Sequence, residues 1–251
     1  MLERLIESWL DSASERSYQS PFCQMLAGEG HIVVHSTRHS AIEFGKDVIS
    51  IAPDGVPCAF QLKGNPGGRL TLGQLREIRP QLLELITQPI VHPGISQSVS
   101  HRGYLVTNGE ADEEVHRSLD DTNRELERLG FGTNRIELWQ RGRLLEMANR
   151  LGGRLWPSEI EDLNLLLELL VHDGTDVLPI TKFHPLLCRV FLLPGAEGKD
   201  PTQEELRRRA TSAALLTAVS LRSFSVAENH FAVISAWTMY VAYWAAVVAP
   251  E

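Results

Sequence analysis

The feature that most restricts the fold is a Pro-Asp-Gly triplet at residues 53–55, which lies between two apolar runs within residues 46–64. Pro presets the backbone of the first turn position, Asp tolerates the second, and Gly takes the left-handed third. The triplet is therefore typical of a three-residue hairpin loop. It predicts that the chain pairs with itself here and that Ala52 faces Val56 across the two strands.

This register places three polar residues together. If Ala52 faces Val56, Asp47 lies opposite Gln61. Lys63 follows Gln61 by two positions and shares its face, because side chains alternate along a strand. The hairpin thus brings an acid, an amide and an amine to one place, although both faces of the same strands carry apolar residues.

Further elements are predicted around the hairpin, and they place it within a mixed sheet. Apolar spacing and turn residues indicate a helix before it and alternating helices and strands after it. The predicted ranges are helices 2–27 with a break at 12–14, 71–86, 111–129 and 143–151, and strands 31–35, 102–109 and 135–139. This order predicts an α/β fold with helices on both faces of the sheet.

Strand signals nearly vanish after residue 155. Gly and Pro residues between 152 and 157 mark a boundary, and helical patterns follow at 159–171, 183–193, 202–222 and 225–249. We therefore predict two domains, an α/β domain at 1–155 and an all-helical domain at 156–251. The helical domain is expected to sense, to recognise a partner, or to form a homodimer or larger assembly.

The last predicted helix has no charged residue between positions 231 and 249. That length meets the requirement for a membrane span. Its many Ala residues, with Ser235 and Thr238, favour a buried helix instead. We expect a buried helix, and the chain is also consistent with a fragment that continues beyond it.

Charge and cysteine content narrow the class of protein. The net charge of −8 argues against general coating of nucleic acid, although it allows a local basic groove. The three cysteines are far apart and lack the spacing of a zinc site, which indicates reduced thiols. The N-terminus lacks the pattern of a secretory signal. We expect a cytoplasmic protein.

The hairpin residues suit a hard cation and a phosphate. Mg²⁺ prefers carboxylate and carbonyl oxygens, with waters and substrate phosphates completing its shell. Asp47 and Gln61 offer such oxygens, and Lys63 can offset negative charge or position a water. The alternative is that Asp47 and Lys63 form an ordinary ion pair at the end of a hairpin.

These residues and the order of elements around them resemble the PD-(D/E)XK nuclease superfamily, and most closely its Mrr-type restriction endonuclease branch. The resemblance rests on Asp47, the turn, the strand that ends Gln61-x-Lys63, and the flanking helices and strands over about residues 15–150. An apolar strand ending in Thr107 is also similar to that branch. The resemblance implies a restriction-endonuclease-like fold.

The resemblance also implies roles for individual residues. Asp47 would be the central metal ligand, Gln61 the second ligand, and Lys63 the catalytic lysine, with the carbonyl of Leu62 completing the metal site for Mg²⁺ or Mn²⁺. Gln19 stands where the family often has a Glu from its first helix.

Two carboxylates are alternatives to the missing Glu. Glu15 lies one helical turn before Gln19, and Glu43 lies four residues before Asp47. Both are also consistent with ordinary solvated side chains.

Two further residues are candidates for binding a substrate phosphate. The Gly-rich stretch 64–68 lacks the ending of an NTPase phosphate loop, so we expect a flexible loop on the substrate side, with Arg69 available for a phosphate. His39 is the second candidate. His31 and His35 do not share a face with it reliably and predict no metal site.

We therefore expect a metal-dependent endonuclease that hydrolyses phosphodiester bonds, with double-stranded DNA as substrate and host antiviral defence or DNA processing as its setting. Two alternatives stay open. One is an inactive protein of the same fold that binds nucleic acid or a protein partner. The other is a structural interaction protein in which the hairpin ion pair is incidental.

Overall fold

The structure is a computed structural model that describes residues 2–36, 44–96, 99–131, 134–150, 160–192 and 201–248. Seven strands and ten α-helices lie in these ranges. The strands are β1 (Ile32–Ser36), β2 (Val48–Ile51), β3 (Pro57–Lys63), β4 (Arg69–Leu70), β5 (Arg102–Thr107), β6 (Glu110–Ala111) and β7 (Ile136–Trp139). The helices are α1 (Leu2–Leu10), α2 (Glu15–Gly28), α3 (Leu72–Thr87), α4 (Glu113–Leu126), α5 (Arg141–Arg150), α6 (Ile160–Leu170), α7 (Ile180–Leu192), α8 (Gln203–Ser220), α9 (Arg222–Val226) and α10 (His230–Val248).

Five strands form one mixed sheet in the order β1-β2-β3-β5-β7. Strand β2 is antiparallel to both of its neighbours, β1 and β3, whereas β3, β5 and β7 are parallel to one another. Helices α3 and α4 connect the parallel strands, as parallel pairing requires a crossover. The predicted α/β fold with alternating helices and strands is confirmed at this level, and β4 with β6 forms a small second sheet that the sequence did not predict.

The hairpin has the predicted register. Val48 pairs with Phe60 and Ile51 with Pro57, which continues to Ala52 opposite Val56. Gly55 has a φ of +82°, so it takes the left-handed conformation expected of the last turn residue. The local turn chemistry thus determines which residues meet across β2 and β3.

Both faces of the hairpin are buried, as predicted. On one face, Ile49 and Ala59 belong to a core that α3 and α4 complete with Leu75, Leu82 and other apolar residues. On the other face, Phe60 is fully buried and stacks on Tyr104 of β5 with ring centroids 4.8 Å apart. A sheet strand buried on both faces reads as a continuous apolar run.

The chain divides into two compact units. One contains Ala13–Gln19 and Glu29–Leu144, which includes the five-stranded sheet with α3 and α4. The other contains Met1–Ser12, Ser20–Gly28 and Leu145–Glu251, which includes the C-terminal helices. This division differs from the predicted single boundary after residue 155, because α1 and most of α2 group with the C-terminal helices.

The helical unit is centred on α8. Residues 210–220 of this helix are all buried, although four of them are Ser or Thr. Thr211 donates its hydroxyl to the carbonyl of Gln24 in α2 at 3.0 Å, and Arg222 donates to Ser8 in α1 at 2.7 Å. These hydrogen bonds explain why α1 and most of α2 belong to this unit. The contacts join residues about 200 positions apart in the sequence, so no local sequence pattern predicts them.

Helix α10 is buried on one face only. Ala232, Ala236 and Tyr240 are buried, whereas Phe231, Ile234 and other apolar residues are exposed. In the part of the chain that the structure describes, residues 230–247 are the one helical stretch long and apolar enough to cross a membrane, and 17% of that stretch is buried. The prediction of a buried helix therefore holds only for the face that carries Ala232, Ala236 and Tyr240.

Candidate active site

The candidate site lies where β3 ends, beside the residue that precedes β2. The backbone ladder of the hairpin reaches Asp47, whose N–H donates to the carbonyl of Phe60 at 2.8 Å. This brings the Asp47 side chain next to Gln61 and Leu62. The pairing of β2 with β3 therefore positions the Asp47 carboxylate without a bound substrate or ion.

Asp47 and Gln61 are in direct contact. Gln61 donates from Nε2 to Asp47 Oδ2 at 2.7 Å, and the backbone N–H of Leu62 donates to the same oxygen at 2.6 Å. Both side chains are buried, with Asp47 9% and Gln61 7% exposed. Two hydrogen bonds at one oxygen stabilise the ionised carboxylate in a site that water hardly reaches.

Lys63 ends β3 and is half-buried. The alternation of side chains along β3 places it on the same face as Gln61. Its backbone is fixed by Tyr18, because Lys63 N–H donates to the Tyr18 hydroxyl at 3.2 Å and that hydroxyl lies 3.2 Å from the carbonyls of Lys63 and Val106. Tyr18 thereby joins the ends of two neighbouring parallel strands.

The start of α2 adds two of the predicted residues. Glu15 accepts a hydrogen bond at Oε2 from Gly64 N–H at 3.1 Å, immediately after Lys63. Gln19 donates from Nε2 to the backbone carbonyl of Asp47 at 3.4 Å and to Ser36 Oγ at 3.2 Å. The structure thus brings both residues to the open end of the hairpin, with Glu15 beside the end of β3 and Gln19 beside the start of β2.

The electrostatics of Tyr18 report on both acids. Its pKa is raised well above its usual value, first by burial and then by the negative charges of Glu15 and Asp47. Burial alone disfavours the charged phenolate, and the two negative charges add to that effect. Tyr18 is therefore expected to stay a neutral hydrogen-bonding group between Glu15 and Lys63.

Lys46 is a buried cation beside this site that sequence reasoning missed. Its Nζ donates to the carbonyls of Phe44 and Glu84, each at 3.3 Å, and the residue is 3% exposed. Burial lowers its pKa to about 8, partly offset by the charge of Glu84. Only tertiary structure reveals this lysine, because the end of α3 that it contacts lies 38 residues away.

The loop after β3 is anchored at Asn65, while its predicted flexibility stays a prediction. Asn65 is 6% exposed, and its N–H donates to Asn108 Oδ1 at 2.8 Å. Its side chain accepts from the Thr107 hydroxyl at 3.1 Å and donates to Gln74 in the capping box of α3 at 3.0 Å. These bonds hold the loop between β3 and α3 in place, and residues 66–69 form its exposed tip.

The remaining predicted residues are not gathered at the hairpin end by any contact that the structure describes. Arg69 lies in β4, is exposed, and has Nη1 3.5 Å from Asp112 Oδ1. Its role as a phosphate ligand therefore stays a prediction. Glu43 and His39 lie outside the described residues.

Tyr18 and the Asn65 and Asn108 pair are further residues that sequence reasoning missed. Asn108 also donates from Nδ2 to the carbonyl of Ala13 at 2.8 Å, so it connects the ends of two strands to the turn before α2. One signal was available, since both Asn residues lie at or just after the end of an apolar strand pattern. Polar side chains at the ends of neighbouring parallel strands lie close together. Tyr18 offered no such signal on an ordinary amphipathic helix.

The donor set meets the needs of a hard cation only in part. Asp47 and the Leu62 carbonyl offer oxygens, but both accept hydrogen bonds from Gln61 Nε2, at 2.7 and 3.3 Å. Glu15 offers a second carboxylate beside Gly64. Gln61 directs its amide nitrogen toward Asp47, so its Oε1 joins the set only after the amide turns over. Within the described ranges, no group of three or more His, Cys, Asp or Glu side chains is placed to hold a metal ion. Waters and substrate phosphates would have to complete the shell.

Neither a protein-family model, nor a curated protein, nor a solved structure matches this chain. The mixed α/β fold and the geometry at the end of the hairpin therefore carry the functional argument.

Proposed function

We propose that the chain is a cytoplasmic, restriction-endonuclease-like nuclease that hydrolyses phosphodiester bonds of DNA with the help of Mg²⁺ or Mn²⁺. One observation carries the proposal. A buried carboxylate, an amide and a lysine, Asp47, Gln61 and Lys63, lie at the end of one β-hairpin inside a sheet whose order agrees with such a fold.

Each of these residues has a distinct part in the proposal. Asp47 would supply the negative charge that attracts a cation, and its two hydrogen-bond donors favour the ionised form. Lys63 places an ammonium group where it stabilises the charge that develops on a phosphate under attack. Tyr18 is a positioning residue that fixes the backbone of Lys63.

The second carboxylate and the cation complete the proposal. The Glu15 carboxylate accepts a hydrogen bond from the N–H of Gly64, the residue that follows Lys63, so it lies close to the end of β3. When bound, Mg²⁺ or Mn²⁺ would supply positive charge next to the scissile phosphate. Asp47 is 9% exposed, so this charge would act where the dielectric constant is below that of bulk water and its effect is larger.

A second candidate is an inactive protein of the same fold that binds nucleic acid. The hydrogen bond from Gln61 to Asp47 favours it, because this amide fills the place where an active site of this kind would offer a second carboxylate. Gln19 favours it for the same reason. Binding would then use the same surface without cleavage.

One assay separates the two candidates. Purified protein is incubated with supercoiled plasmid DNA and with Mg²⁺, Mn²⁺ or EDTA, beside Asp47→Ala and Lys63→Ala. The nuclease proposal expects nicked or linear plasmid with metal only, and a loss of at least ~100-fold in rate for each variant. Binding to labelled DNA is measured in parallel.

Matched controls are available in the same unit. Asp121→Ala removes an exposed acid from α4, and Arg135→Ala removes an exposed cation from the same unit. Both are expected to cleave like the natural chain. Cleavage that persists in Asp47→Ala refutes the proposal, and binding without cleavage under either metal supports the second candidate.

A further inference from the structure

Helix α10 presents a large apolar surface. Its 19 residues contain no Asp, Glu, Lys or Arg. Of residues 230–247, Ala232, Ala236 and Tyr240 are buried, and the others are exposed or half-buried. A helix that is apolar on all sides is normally covered on all sides.

The exposed residues of α10 follow a regular spacing. Phe231, Ile234, Thr238, Val241 and Ala245 are all exposed, and successive members are three and four residues apart in alternation. Phe231, Ile234 and Val241 are 71%, 65% and 58% exposed. Alternation of three and four is the spacing of the seam along which two helices pair in a coiled coil.

The opposite face of α10 is held within its own unit. Tyr240 donates its hydroxyl to the carbonyl of Ala210 in α8 at 3.2 Å, and the hydroxyl of Tyr243 lies 2.8 Å from His184 Nε2 in α7. These contacts fix the rotation of the helix. The exposed seam therefore faces away from α7 and α8 as a stable feature of the folded unit.

We propose that α10 pairs with α10 of a second copy of this chain along the seam of Phe231, Ile234, Thr238, Val241 and Ala245. The charge pattern allows pairing with a copy. The residues that flank the seam, Ser235, Trp237, Ala242 and Trp244, carry no charge. Charges at such positions set partner choice in coiled coils and exclude wrong partners, so an apolar seam without them has no feature that prevents self-association. A surface without charge meets its own copy without repulsion.

The neighbouring helices argue against a lipid bilayer as the occupant. Ala210, which Tyr240 contacts near the middle of α10, follows Arg209, whose guanidinium lies 3.1 Å from Glu205. A bilayer around α10 would bring this ion pair to the depth of the hydrocarbon core. Charged groups at that depth are strongly disfavoured.

The size of the surface sets the expected strength. A standard interface uses about 20–30 residues on each side, and one face of a single helix supplies fewer. We therefore expect a reversible dimer with a dissociation constant of ~1–100 µM rather than an obligate one. The inference does not depend on nuclease activity.

Sedimentation equilibrium of the full chain between ~1 and ~200 µM tests the proposal. The natural chain is expected to dimerise in this range. Ile234→Glu with Val241→Glu, and separately Ile234→Lys with Val241→Lys, are expected to weaken dimerisation at least ~10-fold. An equimolar mixture of the two double variants is expected to restore a dimer, whichever direction the helices run, because acidic and basic seams then face each other.

The matched control is Val171→Glu with Val177→Glu, which adds the same charge at residues of the same unit that are 83% and 68% exposed. It is expected to dimerise like the natural chain. Circular dichroism checks folding, and Ile234→Ser with Val241→Ser replaces any charged variant that loses helicity. The proposal is overturned if the natural chain stays monomeric, if the mixture stays monomeric, or if the chain floats with phosphatidylcholine vesicles.

Discussion

Gln61 Nε2 lies 2.7 Å from Asp47 Oδ2, so the amide of one strand donates directly to the buried carboxylate that precedes its partner strand. The same oxygen also accepts the N–H of Leu62. Two neutral donors thus stabilise the charged form of the Asp47 carboxylate. In the proposed nuclease, replacement of the Gln61 amide by a carboxylate would make the site depend more strongly on a cation.

Gln61→Glu should make the fold depend on metal. The substitution replaces a donor with a second negative charge beside Asp47, which removes one hydrogen bond and adds repulsion. We expect the free energy of unfolding in EDTA to fall by about 1–3 kcal/mol. Mg²⁺ or Mn²⁺ at millimolar concentration should recover most of that loss, because a ligand that binds only the folded state stabilises it. Urea unfolding with and without metal measures both effects.

The control for this variant is Gln140→Glu, which adds the same charge in the same unit outside the candidate site. Gln140 accepts a hydrogen bond at Oε1 from Ala111 N–H, and a carboxylate retains an oxygen there. No recovery by metal is expected for this control. If Gln61→Glu is as stable as the natural chain in EDTA, the two carboxylates do not repel, and the close contact with Asp47 is not maintained in solution.

Tyr18→Phe should weaken the junction of β3 and β5. The hydroxyl is fully buried and contacts the backbone of Lys63 and the carbonyl of Val106. Its removal leaves Lys63 N–H without its acceptor, which we expect to cost about 1–3 kcal/mol. Faster hydrogen exchange at the Lys63 amide and a shifted urea midpoint are the measurements.

Tyr240→Phe provides the comparison, since it removes a buried hydroxyl that donates to Ala210 in the helical unit. Both variants should lose stability, but only Tyr18→Phe should also slow DNA cleavage. Equal cleavage by both variants would show that the hydroxyl of Tyr18 does not position Lys63.

The hairpin register could be predicted because its cause is local. Residues 53–55 alone determine the turn, and the pairing of Val48 with Phe60 follows from it. The pairing of Gln61 with Leu105 in β5 has no comparable signal, because parallel strands are joined through a distant crossover. The order of the strands along the chain was therefore predicted correctly, whereas the sequence did not predict which strands pair outside the hairpin.

The buried polar residues were missed for a related reason. Lys46 is buried only because the end of α3 lies above it, and its position next to Asp47 in the sequence gives no hint of that. Asn65 looked like part of a flexible Gly-rich loop until its partners Asn108 and Thr107 were known. Composition also does not show which face of α10 is covered, since both faces are apolar.

His101 should make the fold less stable in mild acid. It is 3% exposed, its Nε2 lies 2.6 Å from the carbonyl of Leu85, and burial lowers its pKa below the usual 6.5. Between pH 6.5 and the lower pKa of the folded state, His101 is protonated in the unfolded chain but stays neutral in the folded chain. The free energy of unfolding should therefore fall as the pH drops through 6.5, until the lower folded pKa is reached. Urea unfolding between pH 8 and pH 5 measures this slope.

His101→Gln keeps a side-chain donor for Leu85 without a titrating ring, so its slope should be smaller than that of the natural chain. Burial also lowers the pKa of His31, which should account for part of the slope that remains. His116→Gln, at an exposed position, controls for the loss of an imidazole. An unchanged slope in His101→Gln would mean that this ring titrates alike in both states.

Gly45→Ala should be far more damaging than Gly55→Ala, although both glycines have positive φ values of +72° and +82°. A Cβ at Gly55 meets nothing within 4 Å, so we expect only backbone strain of about 1 kcal/mol there. A Cβ at Gly45 would lie 2.4 Å from the carbonyl oxygen of Gln81 and 3.2 Å from Gln61 Oε1. Backbone in a packed helix yields little, so we expect a loss of at least ~2 kcal/mol beyond the strain. Urea unfolding of both variants gives the difference, and equal losses would show that the segment before Asp47 moves away from α3 freely. Gly45 would then have no part in holding Gln61 against Asp47.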